Sequence, residues 1–316
     1  TSASACDDEQ KKPDMGLNAS SSLLDCCGEA GDYLPEDDRP AGLIYLRLMA
    51  PGVSDANLMK FLVFKPDANV AADVFMKHRE FRLKNPWVDQ PKLRLGADPE
   101  LHATLLTDFI TTPRGMTDRS GRQCMLIQFG KLNSGSNVSP QNISRSILYM
   151  LEWLACDGYT QTKGLIAVYD FAGANGENCN LDLCNAVISA TSKSKYPLHI
   201  GGLYFIETPW FFSAIHALLK NFLSKKMQSR VHMLNSREDL GEYIETANLP
   251  QEYGGEVTHH QKEWISLCLA QEEDGSLDFL DEVAETVVRR NIGQRETVME
   301  ASLDEQMEAA HNAHLW

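Results

Sequence analysis

Residues 196–255 read YPLHIGGLYFIETPWFFSAIHALLKNFLSKKMQSRVHMLNSREDLGEYIETANLPQEYGG, and this stretch decides the fold. Within it, Trp210 to Leu223 has the spacing of a helix that is apolar almost all the way round. Phe211, Ile215, Leu218, Leu219 and Phe222 recur at helical intervals and form one face. Trp210, Phe212 and Leu223 fall outside that stripe, which leaves a narrow polar strip of Ser213, His216 and Lys220. At about fourteen residues the segment is too short for a bilayer, whose apolar core needs roughly 20. The pattern therefore predicts a helix that covers something apolar, a lid over a lipid-sized pocket.

On either side of this segment the pattern alternates between strand and helix. Upstream, Gln123 to Phe129 is predicted as the first strand, and Ser139-Pro140 as the cap of a helix through Leu154. Gly164 to Phe171 is apolar at nearly every position, as a sheet covered on both faces requires. A helix near Leu181 to Ser194 leads to a strand at Leu203 to Glu207. Beyond the lid come a strand at Arg230 to Leu234 and a helix near Glu238 to Thr246. Strands separated by helices imply crossovers and a largely parallel sheet.

Ahead of this unit, Leu43 to Met49, a helix capped by Ser54 or Asp55, Asn69 to Lys84, and a helix starting at Asp98-Pro99 form a small helical module. The expected division is an acidic tail over 1–39, the helical module over 40–112, the sheet domain over 113–255 and an acidic helical extension over 256–316. The fold class is α/β: a helical N-terminal module plus a mostly parallel β-sheet floor, covered by helices that enclose a hydrophobic pocket.

Charge supports the division. Of the 316 residues, 1–39 hold ten acids against three bases and 256–316 hold fourteen against four, so the net −15 resides in the tails. The middle is near neutral, which argues against nucleic acid as a partner, since phosphate binding needs a concentrated basic face. The eight cysteines form no C-x-x-C pair and no regular framework, and are expected to be reduced thiols in a cytoplasmic protein. Cys179 and Cys184 could face one another about a helical turn apart, although a loop residue and a core residue is the simpler account.

Signals for enzymatic chemistry are sparse. The chain has no G-x-S-x-G elbow, P-loop or H-E-x-x-H motif, and Gly173-Ala174-Asn175-Gly176 is not a dinucleotide fingerprint. His259-His260 with Cys268 fits no common zinc spacing. Asp170 ends an apolar strand, where its carboxylate is expected to cap the next loop. No enzymatic activity, cofactor or metal is expected. Lys220, Lys225, Lys226 and Arg230 crowd the end of the apolar helix. They suit the helix dipole, and equally a basic collar that meets anionic lipid headgroups during reversible docking at a membrane surface.

Several further pieces follow in a telling order: L-x-K-F-L at Leu58 to Leu62, D-R-S-G-R at Asp118 to Arg122, G-L-I-A-V-Y-D at Gly164 to Asp170, Tyr196-Pro197, Y-F-I-E-T-P at Tyr204 to Pro209 and L-P-Q-E-Y-G-G at Leu249 to Gly255. In these the chain resembles the CRAL-TRIO lipid-binding family, whose members carry retinaldehyde, tocopherol or phosphatidylinositol. The resemblance spans about Leu58 to Gly255. It implies a non-enzymatic soluble carrier that holds one hydrophobic ligand and transfers it between membranes or proteins, with 210–223 as the mobile gate. Pocket and gate residues are then expected at Tyr169, Tyr204, Ile206, Phe211, Phe212, Ile215, Leu218, Leu219 and Phe222. Phosphatidylinositol-binding members have a Glu shortly after the Tyr-Pro pair and a Lys on the strand after the gate; Leu198 and Arg230 stand here instead. That departure points to a retinoid or a tocopherol-like molecule. The alternatives are a phospholipid or phosphoinositide transfer protein, and a protein-interaction module with a vestigial pocket whose acidic tails bind the partner.

Overall fold

The computed structural model describes residues 39–132, 139–175, 178–209 and 225–279. The chain opens with three helices, α1 (Arg39–Met49), α2 (Asp55–Phe64) and α3 (Ala68–Lys84). Ser54 and Asp67 cap the second and third by accepting the backbone N–H groups of Asn57 and Val70. Their apolar faces meet in a cluster of Leu46, Leu58, Phe61, Leu62, Ala71 and Phe75. After an extended link comes α4 (Pro99–Leu105), capped by Asp98 as the Asp-Pro pair predicted.

The sheet then begins with β1 (Ile110–Thr111), followed by β2 (Gln123–Gln128). The expected first strand is thus the second, and the sheet starts inside the segment assigned to the helical module. Two residues carry too little alternation to register as a strand; pairing with Ile127 and Leu126 makes one of them. Helices α5 (Pro140–Cys156) and α6 (Gly158–Lys163) lead to β3 (Leu165–Asp170), and α7 (Leu181–Lys193) leads to β4 (Ile200–Ile206). The short α8 (Lys225–Gln228) precedes β5 (Val231–Leu234), and α9 (Gln261–Asp274) ends the described helices. Strand order follows the chain, β1-β2-β3-β4-β5, antiparallel only between the first two.

Two expectations need correction. Strand β4 starts at Ile200, not Leu203, because Gly201 and Gly202 belong to it: a Cβ on Gly201 would lie 2.4 Å from Arg122 Cδ, and one on Gly202 2.6 Å from the Tyr204 ring. Close approach needs glycine at both positions, though glycine reads as a strand breaker. The expected helix over Glu238 to Thr246 is a pair of 3-10 turns, Glu238–Glu242 and Thr246–Asn248. Leu240 and Ile244 are buried as their spacing suggested, yet the carbonyl of Leu240 serves the N–H groups of both Tyr243 and Ile244, and the helix goes no further.

Helix α5 joins the two parts of the molecule. Ile147, Leu148 and Leu151 pack in the cluster that includes Met125, Ile127, Ala167 and Tyr169 of the sheet. Arg145, 2% exposed, donates to Asp98 Oδ2 at 2.7 Å and to the carbonyls of Val88 and Pro91 at 2.6 and 2.8 Å. Seven residues on, Glu152 accepts from Arg82 at 3.1 Å and from the Tyr196 hydroxyl at 3.0 Å, and Arg82 also pairs with Asp89. His78 of α3 donates from Nδ1 to the Ser194 carbonyl at 2.6 Å. The C-terminal extension closes over the same seam: Trp264, Cys268, Leu277 and Phe279 enter the main core, and Lys60 Nζ donates to the Asp278 carbonyl at 2.5 Å.

Two outcomes follow from this seam. Arg145→Met strands the Asp98 carboxylate and several carbonyls, and loses on the order of 3–5 kcal/mol in denaturant titration. By contrast, Lys77→Ala, which breaks an exposed pair with Asp73, costs about 0.3–0.5 kcal/mol. The second outcome concerns pH. Burial, reinforced by the charge of Arg82, pushes His78 down to about 3 from an ordinary value of 6.5. The unfolded chain therefore takes up this proton first as pH falls. The stability His78 provides is complete above pH 6.5 and is lost between pH 6.5 and about 3. Relative to His78→Gln, the wild type is expected to lose about 1.4 kcal/mol per pH unit across that window.

Candidate ligand-binding site

Alternation divides the sheet residues between two faces. On one face, Tyr169 of β3 sits opposite Phe205 of β4, with rings stacked at 4.8 Å and 10° between planes. Ala167, Leu203 and Val231 continue this face, and α5 and α7 cover it with Leu151, Val187 and Ala190. Burial pushes the Tyr169 hydroxyl up to about 12, while a hydrogen bond with Thr191 of α7 works against the shift. Met233 of β5 pairs with Phe205 and is 45% exposed, an apolar residue at the open edge of the same face.

On the other face, Tyr204 stacks on His232 at 4.9 Å and leans on Tyr243 at 4.7 Å, while Ile206 packs with Leu240, Ile244 and Leu249. Of the three strand residues expected in the pocket, Tyr169 therefore lies on one side, and Tyr204 and Ile206 lie on the other. Phe205 is the aromatic beside Tyr169. Its signal was parity: residues directly paired across neighbouring strands share a face, but the pairing of β3 with β4 cannot be read from either strand alone.

The expected gate residues Phe211, Phe212, Ile215, Leu218, Leu219 and Phe222, with Lys220, lie outside the described residues. Of the basic collar, Lys225 and Lys226 are exposed on α8, and Arg230 is half-buried and donates to the Ile200 carbonyl. The structure adds two residues that sequence reasoning missed. His199 meets Phe64 with ring centres 4.5 Å apart and planes tilted by 44°, and Lys65 Nζ lies 4.5 Å above that Phe64 ring. Burial, then the charge of Lys65, then Arg230 and Lys226, hold the His199 imidazole below its usual range. Three cations from the helical module and from the approach to β5 thus act on one histidine. Leu198, the position where phosphatidylinositol-binding members have their acid, is buried in the main core.

The ends of the strands are closed by a network around Asp170, which is fully buried. Its Oδ1 caps the loop at Ala172 N (2.8 Å), as expected; its Oδ2 accepts from Arg237 at 2.7 Å and from the Tyr253 hydroxyl. Gln128 donates to Glu252 at 2.9 Å and to Tyr253 at 3.2 Å. Burial and the Asp170 charge drive the Tyr253 hydroxyl well above its normal range, which keeps it a donor. These groups anchor the Leu249–Gly255 motif to the sheet. A polar cavity of about 250 Å³ beside them is lined by Asp108, Gln128, Lys131, Glu252, His259 and His260, too small and too polar for a whole lipid. His259 bonds Gln261 at 2.7 Å, whereas Cys268 is buried in the main core. Among the described residues no His, Cys, Asp or Glu cluster could hold a metal ion, and no helix is long and apolar enough to cross a membrane.

Residues 107–255 match the family model of the CRAL/TRIO domain. Clavesin-2 of Mus musculus is 25% identical over 232 residues, 71% of this chain and 69% of its own length. Clavesin-1 of Rattus norvegicus is 27% identical over 234 residues, 71% of this chain and 64% of its own. The crystal structure of Sfh5 superposes with a TM-score of 0.46 at 16% identity, covering 70% of this chain and 81% of that one.

Asp170→Asn tests the anchoring network. It leaves Arg237 without its counter-charge and is expected to cost roughly 3 kcal/mol in denaturant titration. A change under 0.5 kcal/mol, the size usual for surface sites, would show that the network holds nothing.

Proposed function

Through residues 107–255 this chain belongs to the CRAL-TRIO lipid-binding family, and on that premise we propose that it is a carrier of one hydrophobic ligand, gated by residues 210–223. The observation that carries the reading is the apolar sheet face of Tyr169 and Phe205, left open at Met233. β4 and β5 are parallel neighbours. Both described crossovers, through α5 and α7, cover the Tyr169–Phe205 face. Its sequence pattern makes the apolar 210–223 segment the lid in this reading, with Phe211, Phe212, Ile215, Leu218, Leu219 and Phe222 supplying the apolar surface.

Lys65, Lys226 and Arg230 serve as the contact with an anionic lipid surface, where each charge is worth about 1 kcal/mol. Leu198 in the core favours an apolar ligand, a retinoid or a tocopherol-like molecule, over one with an inositol headgroup.

Organic extraction and mass spectrometry of the natively purified protein is expected to release a stoichiometric hydrophobic compound, and retinal would also absorb in the near ultraviolet or visible. A protein that yields none and takes up no labelled lipid overturns the carrier reading. In flotation with phosphatidylserine vesicles, Lys226→Ala and Arg230→Ala each reduce binding roughly fivefold and weaken its salt dependence. Phe211→Asp or Phe222→Asp slows transfer between vesicles more than it lowers the unfolding midpoint; equal losses would mark the segment as ordinary core.

A further inference from the structure

Helix α7 starts with an uncommon pair. Asn180 is its N-cap and accepts the N–H of Leu183 at 3.0 Å, so Cys179 holds the position before the cap and Cys184 the fourth helical position. Those two positions commonly carry apolar side chains that touch and set the entry of the chain into a helix. Here both are thiols, 1% and 3% exposed, with their Sγ atoms 3.5 Å apart. The approach to the helix is itself fastened: Asn175 and Asn178 exchange hydrogen bonds at 2.7 and 3.3 Å, and the Cys179 N–H donates to the Asn175 carbonyl at 2.9 Å.

We propose that Cys179 and Cys184 are a redox-active pair that hydrogen peroxide closes into an intramolecular disulfide, converting the contact before α7 into a covalent staple. Closure needs the sulfurs to move about 1.5 Å nearer, to the bond length near 2.05 Å. The pair differs chemically from the other described cysteines. A hydrogen bond from Cys184 lowers the Cys179 thiol, and the N-terminus of α7 also favours a thiolate beside it. Burial pushes Cys124 and Cys268 up, and Cys156 to about 11.

In the first step the Cys179 thiolate attacks one peroxide oxygen, the O–O bond breaks, and hydroxide leaves and is protonated to water. The Cys184 sulfur then attacks the resulting sulfenic acid, an S–S bond replaces the S–O bond, and the Cys184 proton departs with the second water. Two thiols are oxidised, and one peroxide is reduced to two waters. The disulfide would tether the residue just before the α7 cap to the first turn of the helix that covers the Tyr169–Phe205 face.

The test uses the full chain, reduced, exposed to hydrogen peroxide, alkylated and digested without reductant. The expected product is a peptide linkage between Cys179 and Cys184, two hydrogens lighter than the dithiol, with Cys124, Cys156 and Cys268 alkylated. In Cys184→Ser, the sulfenic acid at Cys179 accumulates and is trapped by a cyclic dione probe. The proposal is overturned if both thiols of the wild type still alkylate after peroxide has oxidised added glutathione. It is equally overturned if Cys179 passes to sulfinic acid without a disulfide, or if the linkage involves a different cysteine.

Discussion

The buried guanidinium of Arg145 is the constraint that the arrangement of this protein depends on. A fixed charge placed 98% out of water is tolerated only where its donors are met, and here they meet Asp98 and carbonyls of the extended link between α3 and α4. Because Asp98 also caps α4, one side chain positions α5, the link and the next helix together. Glu152 repeats the device two turns along with Arg82 and Tyr196. Helix α5 thus presents charge to the helical module and apolar side chains to the sheet, and the two modules cannot slide past each other without breaking buried ionic contacts.

That rigidity leaves the two sheet faces free for different work. One face is filled by the short 3-10 turns and the Leu249–Gly255 motif, pinned through Tyr253 and Arg237 to Asp170 at the end of β3. The other carries a stacked aromatic pair under two crossover helices. The charge buried at Asp170 lies at the strand ends, so it stabilises the closed side without adding polarity beneath Tyr169 and Phe205.

The basic cluster depends on the same docking of modules. Lys65 belongs to the helical module, and His199 and Arg230 flank the starts of β4 and β5. Phe64 meets His199 at a tilt, and Lys65, Arg230 and Lys226 all act on that histidine. Under the proposed reading, a surface for anionic headgroups is a property of the assembled pair of modules, more than of the basic run at 225–230 that the sequence displays.

Much of the architecture was legible in the sequence because local physics writes it there. Ser54, Asp67, Asp98 and Ser139 announce helix starts, since a short polar side chain before a run of helical spacing satisfies free N–H groups. The unbroken apolar run of β3 announces a sheet covered on both sides, and the ordered pieces from Leu58 to Gly255 pointed to the family. Tertiary structure alone decided which residues face one another. The two-residue β1 exists only through its pairing with β2; Gly201 and Gly202 serve β4 only because Arg122 and the Tyr204 ring crowd them; and the 3-10 path after Arg237 follows the sheet it covers. Phe205 rather than Tyr204 or Ile206 stands beside Tyr169, because a face is set by register between strands. Lys65 and Arg230 act on the same His199 for a similar reason: contacts between residues far apart in the chain are fixed by packing, and the local pattern of one segment contains no term for its neighbour.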